Sequence, residues 1–196
     1  MITKDYTKEN LDVKHYRNGD PIPFVKSKKK WKELTTGAYC YYDNDPSKGI
    51  LYNWYAVNDP RGLAPEGWKI PTIEELEQID LTTGLPGGNR GFNGNYYNIG
   101  LYGNWWSFTE YYTNNAWFRY LYTKFEYAFR NYADKTFGFS VRCLRDEPNL
   151  YTVDRHIMFY PKTDKVTLEQ LKRFFTDEAI ESFIKYGYLK KISHGK

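Results

Sequence analysis

The sequence predicts an α+β fold: a strand-rich domain over residues 1–146, then a linker and two short helices over residues 147–196. Three observations carry this prediction. The first is period-two alternation. In Ala116-Trp-Phe-Arg-Tyr-Leu-Tyr122, Trp117, Arg119 and Leu121 fall on one side, and Phe118, Tyr120 and Tyr122 on the other, as strand side chains do. After a break at Thr123-Lys124, Phe125, Tyr127, Phe129 and Asn131 again share a side, so the pattern predicts two adjacent strands with one face of mostly Tyr and Phe. The second is a pair of helix starts. Thr72-Ile-Glu-Glu75 is a capping box ahead of Ile73, Leu76 and Ile79, and Thr167-Leu-Glu-Gln170 opens a later helix. The third is a change of composition after Arg145-Asp146, where the aromatic alternation stops.

The earlier elements follow from local signals. Lys26-Ser-Lys-Lys-Lys-Trp-Lys32 reads as a solvated basic face with Trp31 packed inward. Gly37–Tyr42 is a strand, and Asp43-Asn-Asp-Pro-Ser47 is a turn whose two carboxylates are too few for a calcium loop. Leu51–Val57 is an apolar aromatic segment closed by the turn at Asn58–Gly62. Gly84–Gly91 is glycine-rich but lacks the Gly-Lys-Ser/Thr ending of a phosphate cradle. Phe139–Leu144 is a strand. In the tail, His156–Tyr160 is a short strand, Leu168, Leu171 and Phe174/Phe175 share one helix side, and Gly187 stops a second helix that begins at Asp177.

Composition narrows the function. A chain with 20 Tyr and 2 Met suits strands and broad contact surfaces better than a helical bundle. A net charge of +4 does not by itself point to nucleic acid. No apolar run is long enough to insert in a membrane, and Met1–Tyr6 has no apolar signal core. The expectation is a protein that stays in its cell or leaves by packaging into a particle. Cys40 and Cys143 match no zinc or redox spacing, which leaves one buried disulfide or two buried thiols.

No catalytic set emerges. His15, His156 and His194 are scattered, and Glu110 beside Trp105-Trp106 reads as a scaffold carboxylate accepting backbone hydrogen bonds. Trp117 reads as core. Glu147-Pro-Asn149 is the calcium-sugar tripeptide of sugar-binding C-type lectins on the wrong side of the last strand. Lys135–Val141 echoes an RNA-recognition submotif but has Thr136 where glycine is needed. The expectation is therefore no enzyme, no cofactor and no metal. By contrast, the window Asn89–Gly138 holds 18 of the chain's 38 aromatic residues. A Tyr/Phe face beside a Trp/Leu core face is more than packing requires, and it reads as a binding surface.

Several motifs also occur in order in one known family: Gly37-Ala-Tyr-Cys40, Leu51–Trp68 (Leu-Tyr-Asn-Trp-Tyr-Ala-Val-Asn-Asp-Pro-Arg-Gly-Leu-Ala-Pro-Glu-Gly-Trp), Leu85-Pro-Gly-Gly88, Trp105-Trp-Ser107, Thr109-Glu110 and Gly138-Phe-Ser-Val-Arg-Cys143. Over roughly residues 6–146 the chain resembles the Fibrobacter succinogenes major paralogous domain. The resemblance implies a C-type-lectin-like fold of the formylglycine-generating-enzyme-like branch, and it extends to variable proteins of diversity-generating retroelements and phage tropism determinants. It implies variable ligand-binding positions at Tyr96, Tyr97, Tyr102, Phe108, Tyr111, Tyr112, Phe118, Tyr120, Tyr122, Phe125, Tyr127, Phe129, Tyr132, Asp134 and Phe137. This set contains the alternating face deduced from period alone. The chain departs from the family in a nearly absent first strand, a short stretch between Ile79 and Leu85, and the extra helical tail.

The resulting expectation is a phage receptor-binding protein in the virion. Its partners would be a host surface protein or glycan and, through the tail, other virion proteins; a homo-oligomer is left open. The alternatives are a structural virion or assembly protein whose aromatic face is a subunit interface, and a carbohydrate-binding protein of a bacterial cell surface.

Overall fold

The computed structural model describes residues 5–146, 150–153, 157 and 165–192. The chain divides into two compact units, Lys4–Arg145 and one built on Asp146–Lys196. It contains both helices and small antiparallel sheets, an α+β protein. Among the described residues no helix is long and apolar enough to cross a membrane.

The first unit opens with helix α1 (Lys28–Lys32), capped by the Ser27 side chain. Its lysines are exposed, and Trp31 is fully buried with Nε1 donating to the Thr136 carbonyl at 2.8 Å. Strands β1 (Tyr39–Tyr41) and β2 (Ile50–Tyr52) form a hairpin. Its loop turns through left-handed Asp43 and Asn44, and the Asp45 side chain accepts from the Ser47 backbone N–H. The Leu51–Val57 segment is not one element. Asn53 breaks it, because its buried amide accepts from the Ala38 and Ala56 N–H groups and donates to the Thr36 carbonyl, ending β2 and capping helix α2 (Trp54–Val57).

Strand β3 (Trp68–Lys69) leads to helix α3 (Ile73–Leu76), where Thr72 and Glu75 form the expected capping box. The Ile73 N–H donates to Thr109 Oγ1, tying the helix start to the long strand that follows. Strands β4 (Asn89–Arg90) and β5 (Tyr96–Tyr97) make a second hairpin. Strands β6 (Tyr102–Tyr112), β7 (Asn115–Tyr122) and β8 (Phe129–Asp134) form an antiparallel sheet in that order, with β6 bulged between Trp106 and Glu110. The strand after β7 therefore begins at Phe129, and Phe125 and Tyr127 belong to the connecting turn.

Phe139–Leu144 is not a regular strand. It runs between two neighbours and bonds to both: Phe139 exchanges hydrogen bonds with Tyr52, and Ser140 bonds Asn104 and Trp106. On its other edge Thr7 and Leu11 donate to Cys143 and Val141, so residues 7–11 pair with this segment. Only β9 (Leu144–Arg145) pairs conventionally, with β3.

Trp105 and Trp106 are fully buried and fully bonded, Trp105 to Asn10 Oδ1 at 2.8 Å and Trp106 to the Tyr52 carbonyl at 3.0 Å. Gly103 lies against the Trp105 ring, where a Cβ would overlap the indole.

The possible Cys40–Cys143 disulfide is not formed. Both cysteines are buried free thiols in different parts of the core, Cys40 with Trp31 and Leu51, Cys143 with Tyr52 and Val141. Burial pushes Cys40 up to about 11 and Cys143 up to about 12, so both stay protonated and unreactive. A colorimetric thiol reagent at pH 8 is expected to find no fast-reacting thiol in the native protein and two in denaturant. One fast thiol in the native state would contradict this packing.

The second unit is more than a linker with two helices. Strand β10 (Leu150–Val153) is central in an antiparallel sheet, flanked by β11 (Lys165–Thr167) and β12 (Leu189–Lys191). Strands of three or four residues carry too little periodicity to be read in sequence. Helices α4 (Leu168–Lys172) and α5 (Asp177–Lys185) begin at the side-chain caps Thr167 and Thr176, and left-handed Gly187 follows the second. Tyr151, Val153, Val166, Leu171, Ile180 and Leu189 form this unit's own core. Phe175 packs on it, whereas Phe174 is exposed. The expected His156–Tyr160 strand lies outside the described residues except for buried Ile157, and Glu147-Pro-Asn149 lies outside them entirely.

Candidate binding surface

One face of the β6–β7–β8 sheet is set by register. Tyr102 lies opposite Tyr122, Trp106 opposite Phe118, and Tyr120 opposite Phe129. Directly paired residues on one face bring their rings together. Tyr102 stacks on Tyr122 with centroids 4.8 Å apart, and Tyr120 stacks on Phe129 at 5.4 Å. The turn continues the array, with Tyr122–Phe125 at 5.5 Å and Tyr127–Phe129 at 4.7 Å. Six rings thus form one ladder, from half-buried Tyr102 to Phe125 and Tyr127, which are 46% and 58% exposed.

The turn that carries Phe125 and Tyr127 is anchored from the opposite face. There Arg119 is half-buried, its Nη1 donates to the Leu76 carbonyl at 3.1 Å, and its Nη2 donates to the Ala128 carbonyl. One guanidinium therefore ties the end of α3 to the end of the aromatic turn. Burial lowers its pKa from the ordinary arginine value, an effect that Glu77 opposes.

Phe118 was expected to point outward with the ladder. It is 8% exposed, packed edge-on to Trp106 and 4.6 Å from the Phe139 ring. The reason is geometric: the Phe139–Leu144 segment bridges to β6 beside it and covers that part of the face. Trp117 is likewise not core. It is half-exposed on the opposite face, edge-on to Tyr111 and Tyr132, with Arg130 stacked 4.6 Å above its ring.

The other positions implied by the resemblance spread over several places. Tyr111, Tyr112 and Tyr132 cluster with Trp117, Tyr111 and Tyr132 stacking at 4.2 Å. Tyr96 packs on Tyr42 and under the Arg90 guanidinium; burial raises the pKa of its phenol, an effect that the Arg90 charge opposes. The exposed Tyr97 hydroxyl accepts from the Asn93 and Asn95 amides. Asp134 Oδ1 accepts from the Thr136 N–H and hydroxyl. Phe137 bridges Phe92 and Phe139.

A groove of about 500 Å³ joins several of these groups. Phe118, Phe139, Phe137, Tyr97, Tyr132, Ala133 and Asp134 line it, together with four asparagines, Asn89, Asn98, Asn104 and Asn115. Phe118 connects groove and ladder, its ring 6.0 Å from that of Tyr120. The asparagines were missed by the sequence reading. Asn104 between Gly103 and Trp105 was the available signal, since asparagine is depleted in strands.

Phe108 lies apart and lines a second hollow of about 290 Å³ with Arg17, Asp59, Lys69 and Glu75. The charges there are already engaged: Arg17 donates to the Ala64 and Trp68 carbonyls, Lys69 pairs with Glu75 at 2.7 Å, and Asp59 pairs with Arg61 at 2.8 Å. Glu110 does not accept from backbone groups as expected. Its exposed carboxylate pairs with the buried Lys135 ammonium, which also donates to the Thr113 carbonyl at 2.7 Å and lies 4.6 Å from the Trp54 ring. Among the described residues no group of three or more His, Cys, Asp or Glu side chains is placed to hold a metal ion.

The scaffold that carries this surface is an α+β domain with buried tryptophans fixed by backbone carbonyls. Residues 3–87 match the model of the Fibrobacter succinogenes major domain, so this part of the chain is similar to that family. The match ends before Trp105-Trp-Ser107 and the aromatic window, a shorter span than the resemblance of the motifs. No curated protein and no solved structure matches the chain.

Proposed function

We propose that the chain is a ligand-binding protein whose ladder and groove form one recognition face on a C-type-lectin-like scaffold. The observation that carries the reading is the ladder itself: six rings in one connected array, four of their residues on paired strands, ending in exposed Phe125 and Tyr127. Tyrosine and phenylalanine offer large contact area with few rotatable bonds, so little entropy is lost on binding. Beneath them Trp105, Trp106 and the Phe139–Leu144 segment are buried and hydrogen-bonded, a base that tolerates change above it.

The particular role we favour is host recognition on a phage particle, with the face diversified by a retroelement and many copies displayed together so that weak sites sum to tight attachment. The second unit would dock the domain onto the particle. The test is deep sequencing of this gene in a natural population of its source. Substitutions confined to residues 92–137 and concentrated at ladder and groove positions are expected. An invariant window would remove diversification and leave a fixed interface, as in a structural virion or assembly protein.

A further inference from the structure

We infer that the groove beside Phe118 is a calcium-independent site for a neutral sugar ring, an inference that rests on the recognition reading above and names its ligand class. Asn89 carries the argument. It is 8% exposed and lines the groove, and among the described residues its side-chain amide makes no hydrogen bond. Its amide atoms are not among the fully buried unbonded ones, so the amide is reached from the groove. An unpaired amide opening on a cavity is poised to bond whatever enters it.

The surroundings select the ligand's chemistry. Asn104 is buried and spends one amide N–H on the Gly88 carbonyl at 3.1 Å, which leaves its Oδ1 as an acceptor. A planar amide offers a donor and an acceptor a short distance apart, matching two adjacent hydroxyl groups, each of which can donate and accept. Phe118, Phe139 and Phe137 supply apolar ring surface for the C–H face of a pyranose. Charge is nearly absent. Asp134 is the single charged residue among those lining the groove, and its Oδ1 is already taken by Thr136. A cation or an anion would find little to balance it. The volume of about 500 Å³ lies in the range of small-molecule sites.

The test uses the full chain with a panel of methyl glycosides of neutral hexoses and N-acetylhexosamines, in buffer containing EDTA. Ligand-observed saturation-transfer NMR is expected to detect at least one glycoside, with ring C–H protons saturated most strongly. Asn89→Ala is expected to weaken it tenfold or more while circular dichroism and melting stay unchanged, because that side chain bonds nothing in the fold. Phe137→Ala, which strips one wall, is expected to weaken it as well.

Silence across the panel overturns the inference. So does a signal that needs added calcium, equal binding by both variants, or binding of blocked dipeptides in place of glycosides. If the panel is silent while the gene varies in the 92–137 window, only the ligand class has failed. If the panel is silent and the window is invariant, the recognition reading has failed with it.

Discussion

Replacing Arg90 with methionine is expected to cost the Lys4–Arg145 unit about 3–5 kcal/mol. Arg90 is fully buried, and among the described residues no carboxylate pairs with it. Its guanidinium donates to three backbone carbonyls, those of Val25 at 2.6 Å, Lys26 at 2.8 Å and Gly94 at 3.1 Å. It is also sandwiched between Trp31 at 4.4 Å and Tyr96 at 4.9 Å. Methionine keeps much of the stem volume but leaves three acceptors without a donor, one buried and two part-buried, and a buried loss costs about 1–3 kcal/mol before any relaxation. The side chain holds α1, the residues leading into it and the β4–β5 hairpin together, so the damage is not local. Urea unfolding checks it: the midpoint is expected to fall with an unchanged slope. A loss under about 1 kcal/mol would mean that water reaches those carbonyls.

Truncating Trp106 to alanine is expected to cost about 3–5 kcal/mol. The indole is fully buried, bonds the Tyr52 carbonyl, and touches Phe139 at 4.4 Å and Phe118 at 6.0 Å. Its removal opens a cavity under the point where groove and ladder meet. The same experiment has a sharp contrast. Phe125→Ala and Tyr127→Ala, at exposed positions of the turn, are expected to move stability by less than about 0.5 kcal/mol each. Calorimetric melting of the three variants decides between them. If the exposed pair proved as costly as Trp106, those rings would be structural, and a face free to vary without unfolding the domain would be lost as an idea.

Both predictions separate a scaffold from a surface, and the sequence located much of that division. The alternation in 116–122 placed Tyr120 and Tyr122 together, and register puts them in one ladder with Tyr102 and Phe129. The capping boxes at Thr72 and Thr167 start helices where the residues require. Trp31 lies inward under its lysines, because one aromatic in a charged run has only one side to bury. These features are legible because they are local: a cap is read over four residues, and a strand face over three or four alternations.

Tertiary structure decided the rest. Phe118 and Tyr120 have the same local pattern, yet only Phe118 is covered, by a segment some twenty residues later in the chain. Trp117 has a core-like identity yet stays partly exposed: Leu121 on the same strand face is buried in a cluster with Leu76 and Trp105, whereas Trp117 lies outside the clusters and takes Arg130 on its ring. Cys40 in β1 and Cys143 in the Phe139–Leu144 segment are both buried in motif residues, but their side chains sit in different clusters, a distance relation that spacing along a chain does not encode. The groove is the clearest case. Asn89, Asn104, Phe118 and Phe137 come from four separate stretches and share no motif. The sequence by itself determined which residues prefer strands, caps and contact surfaces. Only the folded chain decided which of them are covered and which amide is left without a partner, because burial and pairing are set by residues distant in sequence.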